Sequence, residues 1–114
     1  SVDSDCVIGE NRRVLCRKKI SIGEQCVIDS DVTFIDSDRY TIVERGTEQS
    51  ASDEGITIGN HVWIGTGSKI LKNVTIGSDS VILPGSVVTE NVPEGVMVGG
   101  NPATVFKKDI DWKE

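Results

Sequence analysis

Residues 58–92 read IGNHVW-IGTGSK-ILKNVT-IGSDSV-ILPGSV-VTENV, and their spacing decides the fold. An aliphatic residue returns at every sixth position, at Ile58, Ile64, Ile70, Ile76, Ile82 and Val88. Four residues after each stands Val62, Ser68, Val74, Ser80, Ser86 or Val92, always small or β-branched. Glycine follows the aliphatic at Gly59, Gly65 and Gly77. Alternating strands repeat every two residues and an amphipathic helix every three or four, so neither accounts for a period of six. Six residues suit a short strand plus a tight turn, and three such units make one triangular coil of about 18 residues. Stacked coils place each inward aliphatic over its counterpart at about 4.8 Å, the spacing of paired strands. The interior becomes columns of Ile and Val, and each coil leans on its neighbours for stability. Glycine is expected at the corners, where positive φ costs it little.

The phase extends outward from this stretch. Ile22, Ile28 and Phe34 are six apart, with Cys26 and Val32 in the small inward positions. Ile8, Val14 and Ile20 form an earlier run, shifted by two residues at Ile20–Ile22. The pattern predicts about four coils, roughly 3–21, 22–39, 58–75 and 76–93, in a single domain over 1–114. Ile58 is expected beneath Ile76, Ile64 beneath Ile82, and Ile70 beneath Val88. Residues of about 39–57 leave the period and are polar, as expected of a functional loop excursion. A C-terminal tail over about 94–114 also leaves it; period alone does not say whether its last stretch docks as strand or helix.

Composition agrees. The 114 residues are 37% hydrophobic but only 4% aromatic, so Val and Ile must fill the core. A net charge of −6 argues against nucleic acid as a partner, because phosphate binding needs a basic surface. The basic run Arg12, Arg13, Arg17, Lys18 and Lys19 is spread over different faces by strand alternation and reads as solvated surface. No apolar run approaches the roughly 20 residues that span a bilayer, and no signal-peptide pattern is present. An opening on Ser1 rather than Met reads as a truncated or processed N-terminus. Cys6, Cys16 and Cys26 are ten apart, and His61 is the only histidine, so no metal site of the Cys/His type is expected. The two-residue shift places Cys6 below Cys26, facing inward, and Cys16 outward. Unpaired thiols suit a reducing, cytoplasmic setting.

The stretches Ile58-Gly-Asn-His-Val-Trp-Ile-Gly65, Gly85-Ser-Val-Val-Thr89 and Gly100-Asn-Pro-Ala103 resemble the hexapeptide-repeat acyltransferases. They are similar to the branch of maltose, galactoside and polysaccharide O-acetyltransferases. The resemblance implies an all-β, left-handed parallel β-helix; the general rule for parallel crossovers would have implied the right-handed sense. It also implies a homotrimer with acetyl-coenzyme A in a groove between two subunits. Carried over, the pantetheine arm passes Thr66, Gly67, Pro84 and Gly85, while Thr89, Asn101 and Lys107 lie toward the nucleotide. Trp63 stands beside that groove at the subunit interface, as a packing anchor.

The family's D-S-D-x-H stretch, whose histidine is the general base, reads here Asp36-Ser37-Asp38-Arg39-Tyr40. A phenol of reference pKa about 10 is a poor base at neutral pH. His61 is one substitute; its other reading is packing at a contact. Asp36 or Asp38 is another, though their expected role is to hold the acceptor or cap a turn. The resemblance therefore implies acetyl-CoA-dependent O-acetyl transfer to a hydroxyl of a sugar or polysaccharide precursor. The alternative is a catalytically silent β-helix subunit with a structural or regulatory role. A carbonic-anhydrase-like β-helix needs three zinc-binding histidines, which one histidine rules out.

Overall fold

The computed structural model of the chain describes residues 7–8 and 13–15 by backbone, and residues 20–35, 45–46 and 55–114 in full. Strands β1 (Val7–Ile8), β2 (Arg13–Leu15) and β3 (Ile20–Ile22) make one turn of the chain. Strands β4 (Val27–Ile28), β5 (Thr33–Ile35) and β6 (Ile56–Ile58) make a second, and β7 (Trp63–Ile64), β8 (Lys69–Ile70) and β9 (Thr75–Ile76) a third. Strands β10 (Val81–Ile82) and β11 (Val87–Val88) continue a fourth, which closes through a bridge from Val92 to Ile76. Then come β12 (Met97–Gly100) and β13 (Ala103–Lys107).

Three sheets result. The first has the order β1-β4-β7-β10-β12-β13, the second β11-β8-β5-β2, and the third β3-β6-β9. Every pair is parallel except β12 with β13, which form an antiparallel hairpin. The tail thus docks as a strand as far as Lys107.

The expected columns are present: Ile58 pairs with Ile76, Ile64 with Ile82, and Ile70 with Val88. Ile22, Ile28 and Phe34 continue them downward beneath Ile58, Ile64 and Ile70. All nine side chains are buried to 4% exposure or less. At the first turn the register is Val7 with Val27 and Val14 with Phe34, the 20-residue offset that the two-residue shift requires. Ile20 and Ile22, assigned by period to different coils, share β3 and pair with Ile56 and Ile58. Two apart on one strand, both point to the same inward face: Ile22 is 4% exposed, and Ile20 is partly buried against the core.

The small inward positions carry the polar interior. Ser68, Ser80 and Ser86 are fully buried, yet each hydroxyl has a partner. Ser68 and Ser86 both donate to the Leu83 carbonyl, at 3.0 and 2.6 Å, and Ser80 donates to the Pro93 carbonyl at 2.7 Å. The Cys26 thiol, also fully buried, donates to the Gly59 carbonyl at 3.2 Å. Buried polar groups are tolerated when so paired. Cys6 and Cys16 lie outside the described residues, as does the expected loop except for residues 45–46, Gly55 and the first residues of β6.

The glycines after the aliphatics are there for a reason other than positive φ. Gly59, Gly65 and Gly77 do not have it; among the described residues, left-handed corners include Gln25, Asp31, His61, Asn73 and Asp79, with Gly55, Gly67, Gly85 and Gly95. A Cβ at Gly65 would lie 2.6 Å from Pro84 N, and one at Gly77 would lie 2.5 Å from Glu94 N. The coil above passes too close for any side chain there. Corners stack by hydrogen bonds: the Asp79 N–H reaches the Asn60 carbonyl at 3.0 Å, and the Gly85 N–H the Thr66 carbonyl at 2.9 Å.

Candidate functional site

The edge between the first and second sheets gathers five of the expected cofactor residues. Ser30, Thr66 and Pro84 occupy equivalent turns in three successive coils. The Gly67 N–H donates to the Ser30 carbonyl at 3.1 Å, and the Thr66 hydroxyl donates to the same carbonyl at 2.6 Å. Gly67 and Gly85 have φ of +73° and +71°, and a Cβ built on either meets nothing within 4 Å. Thr66, Pro84 and Gly85 are exposed. Ile82 pairs with Val98, so two or three residues on, Gly100 and Asn101 continue the strip above Pro84 and Gly85. The result is a vertical, open strip of turns in which glycine at the left-handed positions removes side-chain bulk.

Thr89 and Lys107 stand elsewhere. Val88 pairs with Ile70, and Ile70 with Phe34, so Thr89 stands over Ile35 at the edge between the second and third sheets. Ile35 is the residue immediately before Asp36. Asp36, Asp38 and Tyr40 themselves lie outside the described residues. Lys107 pairs with Met97 at the start of β12, so the hairpin carries it back to the far side of the first sheet from Asn101.

That far side, the edge between the third and first sheets, holds His61. Its backbone is left-handed, with φ of 56°, and its N–H donates to the Glu24 carbonyl at 2.8 Å. Strand β7 separates it from Thr66 by ~15 Å at about 3.3 Å per residue. His61 Nδ1 lies 3.0 Å from Asp79 Oδ1 and 3.3 Å from Asp111 Oδ1. The Trp112 indole stacks on the imidazole at 4.0 Å between ring centroids and 9° between planes, and its Nε1–H donates to the His61 carbonyl at 2.7 Å. The packing partner of His61 is therefore this chain's own C-terminal segment. Ile110 helps anchor that segment, its N–H donating to the Gly95 carbonyl at 2.8 Å.

Trp63 lies between the two edges, on the outer face of the first sheet. It is 36% exposed, and its Nε1–H donates to Asp29 Oδ2 at 3.0 Å. Trp112 approaches it at 6.0 Å with a tilt of 45°. The two indoles, with Val27, Asp29, Lys113 and Glu114, line an open groove of about 210 Å³.

Sequence reasoning missed Asp29, Asp79, Asp111 and Trp112. One signal existed: Asp79 follows His61 by 18 residues, one full coil, so the period itself stacks them. Asp111 and Trp112 carry no such signal, because the tail lies outside the repeat.

Residues 55–90 match the family model described as bacterial transferase hexapeptide (six repeats). The galactoside O-acetyltransferase of Escherichia coli is 36% identical over 92 residues, covering 81% of this chain and 45% of the relative. The crystal structure of the polySia specific acetyltransferase NeuO superposes with a TM-score of 0.90 at 34% identity, covering 96% of this chain and 51% of the other. A galactoside acetyltransferase solved in complex with coenzyme A gives a TM-score of 0.73 at 32% identity, over 93% of this chain and 56% of the other. The chain spans about a third to a half of the length of the curated relatives it matches. By its repeat, its stacked parallel sheets and these likenesses, the chain belongs to the hexapeptide-repeat transferase family.

Proposed function

We propose that the protein transfers an acetyl group from acetyl-coenzyme A to a hydroxyl of a sugar or saccharide. The observation that carries this reading is the open strip of Thr66, Gly67, Pro84, Gly85 and Asn101. Its exposed turns and missing Cβ atoms leave room for an extended chain to lie along the edge. The galactoside acetyltransferase crystallised with coenzyme A and the acetyltransferase specific for polySia favour the same donor and acceptor classes.

In the reaction, the acceptor oxygen attacks the thioester carbonyl carbon, the C–S bond breaks, and the thiol leaves as the hydroxyl proton passes to a base. Thr89 and Lys107 lie on other edges, so in this reading they serve a groove completed by a neighbouring subunit of a homotrimer. The coils wind left-handed, as the resemblance implies. Tyr40 occupies the position of the family's base, and Asp36 and Asp38 hold the acceptor beside it. His61 stands a strand's length from the strip with its Nδ1 between two carboxylates, and is assigned no part in the transfer. The described residues include no helix long and apolar enough to cross a membrane, and the reading places the chemistry in the cytoplasm, where acetyl-coenzyme A and free thiols coexist.

Thiol release from acetyl-coenzyme A, measured with a panel of sugars, tests the proposal. Restoring an imidazole by Tyr40→His is expected to raise the rate by roughly 10²- to 10⁴-fold, the usual worth of a positioned base. No release by either form with any acceptor would sink the transferase reading and leave the silent subunit. A parent whose rate falls on this change would refute the missing-base account.

A further inference from the structure

His61, Asp79 and Asp111 come from three separate parts of the chain: the start of the third coil, the start of the fourth, and the C-terminal segment. Their ligand atoms nevertheless converge, all within 4.8 Å of one another. Two carboxylate oxygens face a single imidazole nitrogen, at 3.0 and 3.3 Å. Nδ1 of a neutral imidazole carries one proton, which serves one carboxylate well and leaves the second uncompensated. Even a charged imidazole leaves the cluster with a net negative charge.

The two nitrogen–oxygen separations, within the range of hydrogen bonds, also match those between neighbouring ligands of one metal ion. Bonds of about 2.0–2.1 Å at tetrahedral angles put neighbouring ligand atoms about 3.3 Å apart. An imidazole nitrogen with two carboxylate oxygens selects a zinc-class ion over calcium or magnesium, which prefer all-oxygen shells. The ligands are also held in place. Trp112 stacks flat on the imidazole and bonds to the His61 carbonyl, so the ring plane is set. The Trp112 backbone N–H donates to Asp111 Oδ1 at 2.8 Å, which aims that carboxylate. Asp79 is fixed by its left-handed turn, with φ of 65° and its N–H on the Asn60 carbonyl. Such support of ligands by outer partners is typical of metal centres.

We propose that His61 Nδ1, Asp79 and Asp111 bind one divalent cation of the zinc class, with water in the fourth position. The ion takes the lone pair of Nδ1, and the imidazole proton resides on Nε2. It balances the two carboxylates and ties the C-terminal segment to two successive coils beside the Trp63–Trp112 groove. The site is independent of the proposed acetyl transfer and requires no thiolate.

Titration of the full chain with Co²⁺ and Zn²⁺ tests this through equilibrium dialysis and tryptophan fluorescence. One ion per chain is expected, with Co²⁺ quenching tryptophan emission in step with uptake and Zn²⁺ displacing it. His61→Gln, Asp79→Asn and Asp111→Asn should each weaken binding at least about tenfold. The first two substitutions suit their corners: Gln25 holds φ of 58° one coil below His61, and Asn73 holds φ of 63° in an equivalent turn. Circular dichroism confirms that each variant folds. Trp112→Phe should retain uptake but lose much of the quenching. Absence of saturable uptake would overturn the proposal, as would uptake that His61→Gln leaves unchanged, which would assign the ion to cysteines.

Discussion

Gly65 and Gly67 stand two residues apart, and alanine at each should cost stability for different reasons and by different amounts. At Gly65 the added Cβ falls 2.6 Å from Pro84 N, 2.7 Å from Pro84 Cδ and 2.9 Å from the Ile82 carbonyl oxygen. Ordinary contacts lie beyond about 3.4 Å, so the fourth coil must lift locally by the better part of an ångström. Overpacking of this kind typically costs about 1–3 kcal/mol. The lift also strains the Gly65 N–H to Ile82 carbonyl hydrogen bond, now 2.7 Å, worth about 1 kcal/mol. The expected loss is about 2–4 kcal/mol. At Gly67 the Cβ meets nothing within 4 Å, but φ is +73°. A left-handed alanine costs about 1–2 kcal/mol, and the stiffer unfolded chain returns about 0.4–1 kcal/mol. The net loss is about 1 kcal/mol, and Gly67→Asn should lose less still, because Asn73 adopts φ of 63° in an equivalent turn. Thermal unfolding followed by far-ultraviolet circular dichroism, at one fixed protein concentration, measures all three. At roughly 4–8 °C per kcal/mol for a domain of this size, the two alanine variants should be well resolved. Equal losses, or a larger loss at Gly67, would refute the view that close coil stacking selects glycine at position 65.

The same stacking bears on two buried side chains and on the loop between β5 and β6. Ser80→Ala removes the hydroxyl that donates to the Pro93 carbonyl and accepts from the Val96 N–H at 3.4 Å, so a loss of about 1–3 kcal/mol is expected in the same melts. Cys26 is fully buried and should resist alkylation in the native protein; its rapid labelling, read by peptide mass, would contradict the inward column. Replacing residues 39–55 by a short polar linker should spare the fold, because β5 and β6 each pair with strands above and below. Saccharide binding or assembly should weaken instead, and an unfolded variant would make the loop structural.

Much of the fold was legible because a repeat makes every coil the same problem. A contact eighteen residues away recurs at a constant offset, so Ile58, Ile64 and Ile70 announce their partners Ile76, Ile82 and Val88 before any coordinates exist. The small inward set, Cys26 and Ser68 to Ser86, was visible for the same reason, and so was the 20-residue offset of the first turn. Of the candidate site, Thr66, Gly67, Pro84 and Gly85 were named through the family resemblance; the offset of eighteen says only that Pro84 stacks on Thr66 and Gly85 on Gly67.

Tertiary structure alone decided what the period does not carry. Glycine looks the same in sequence whether it answers a positive φ, as at Gly67, or the backbone of the next coil, as at Gly65. Only the stacked neighbour distinguishes them. The offset also falls to sixteen where Val81 meets Met97, beyond the last full repeat, so that partner follows from packing. Beyond Val92 the repeat stops, and the C-terminal segment finds its place through contacts that no spacing encodes. His61 meets Trp112 across 51 residues, and Asp111 joins Asp79 at the same nitrogen. A local pattern sets a chain's inward face, but aperiodic segments dock wherever shape and hydrogen bonding allow, and that depends on the whole folded surface.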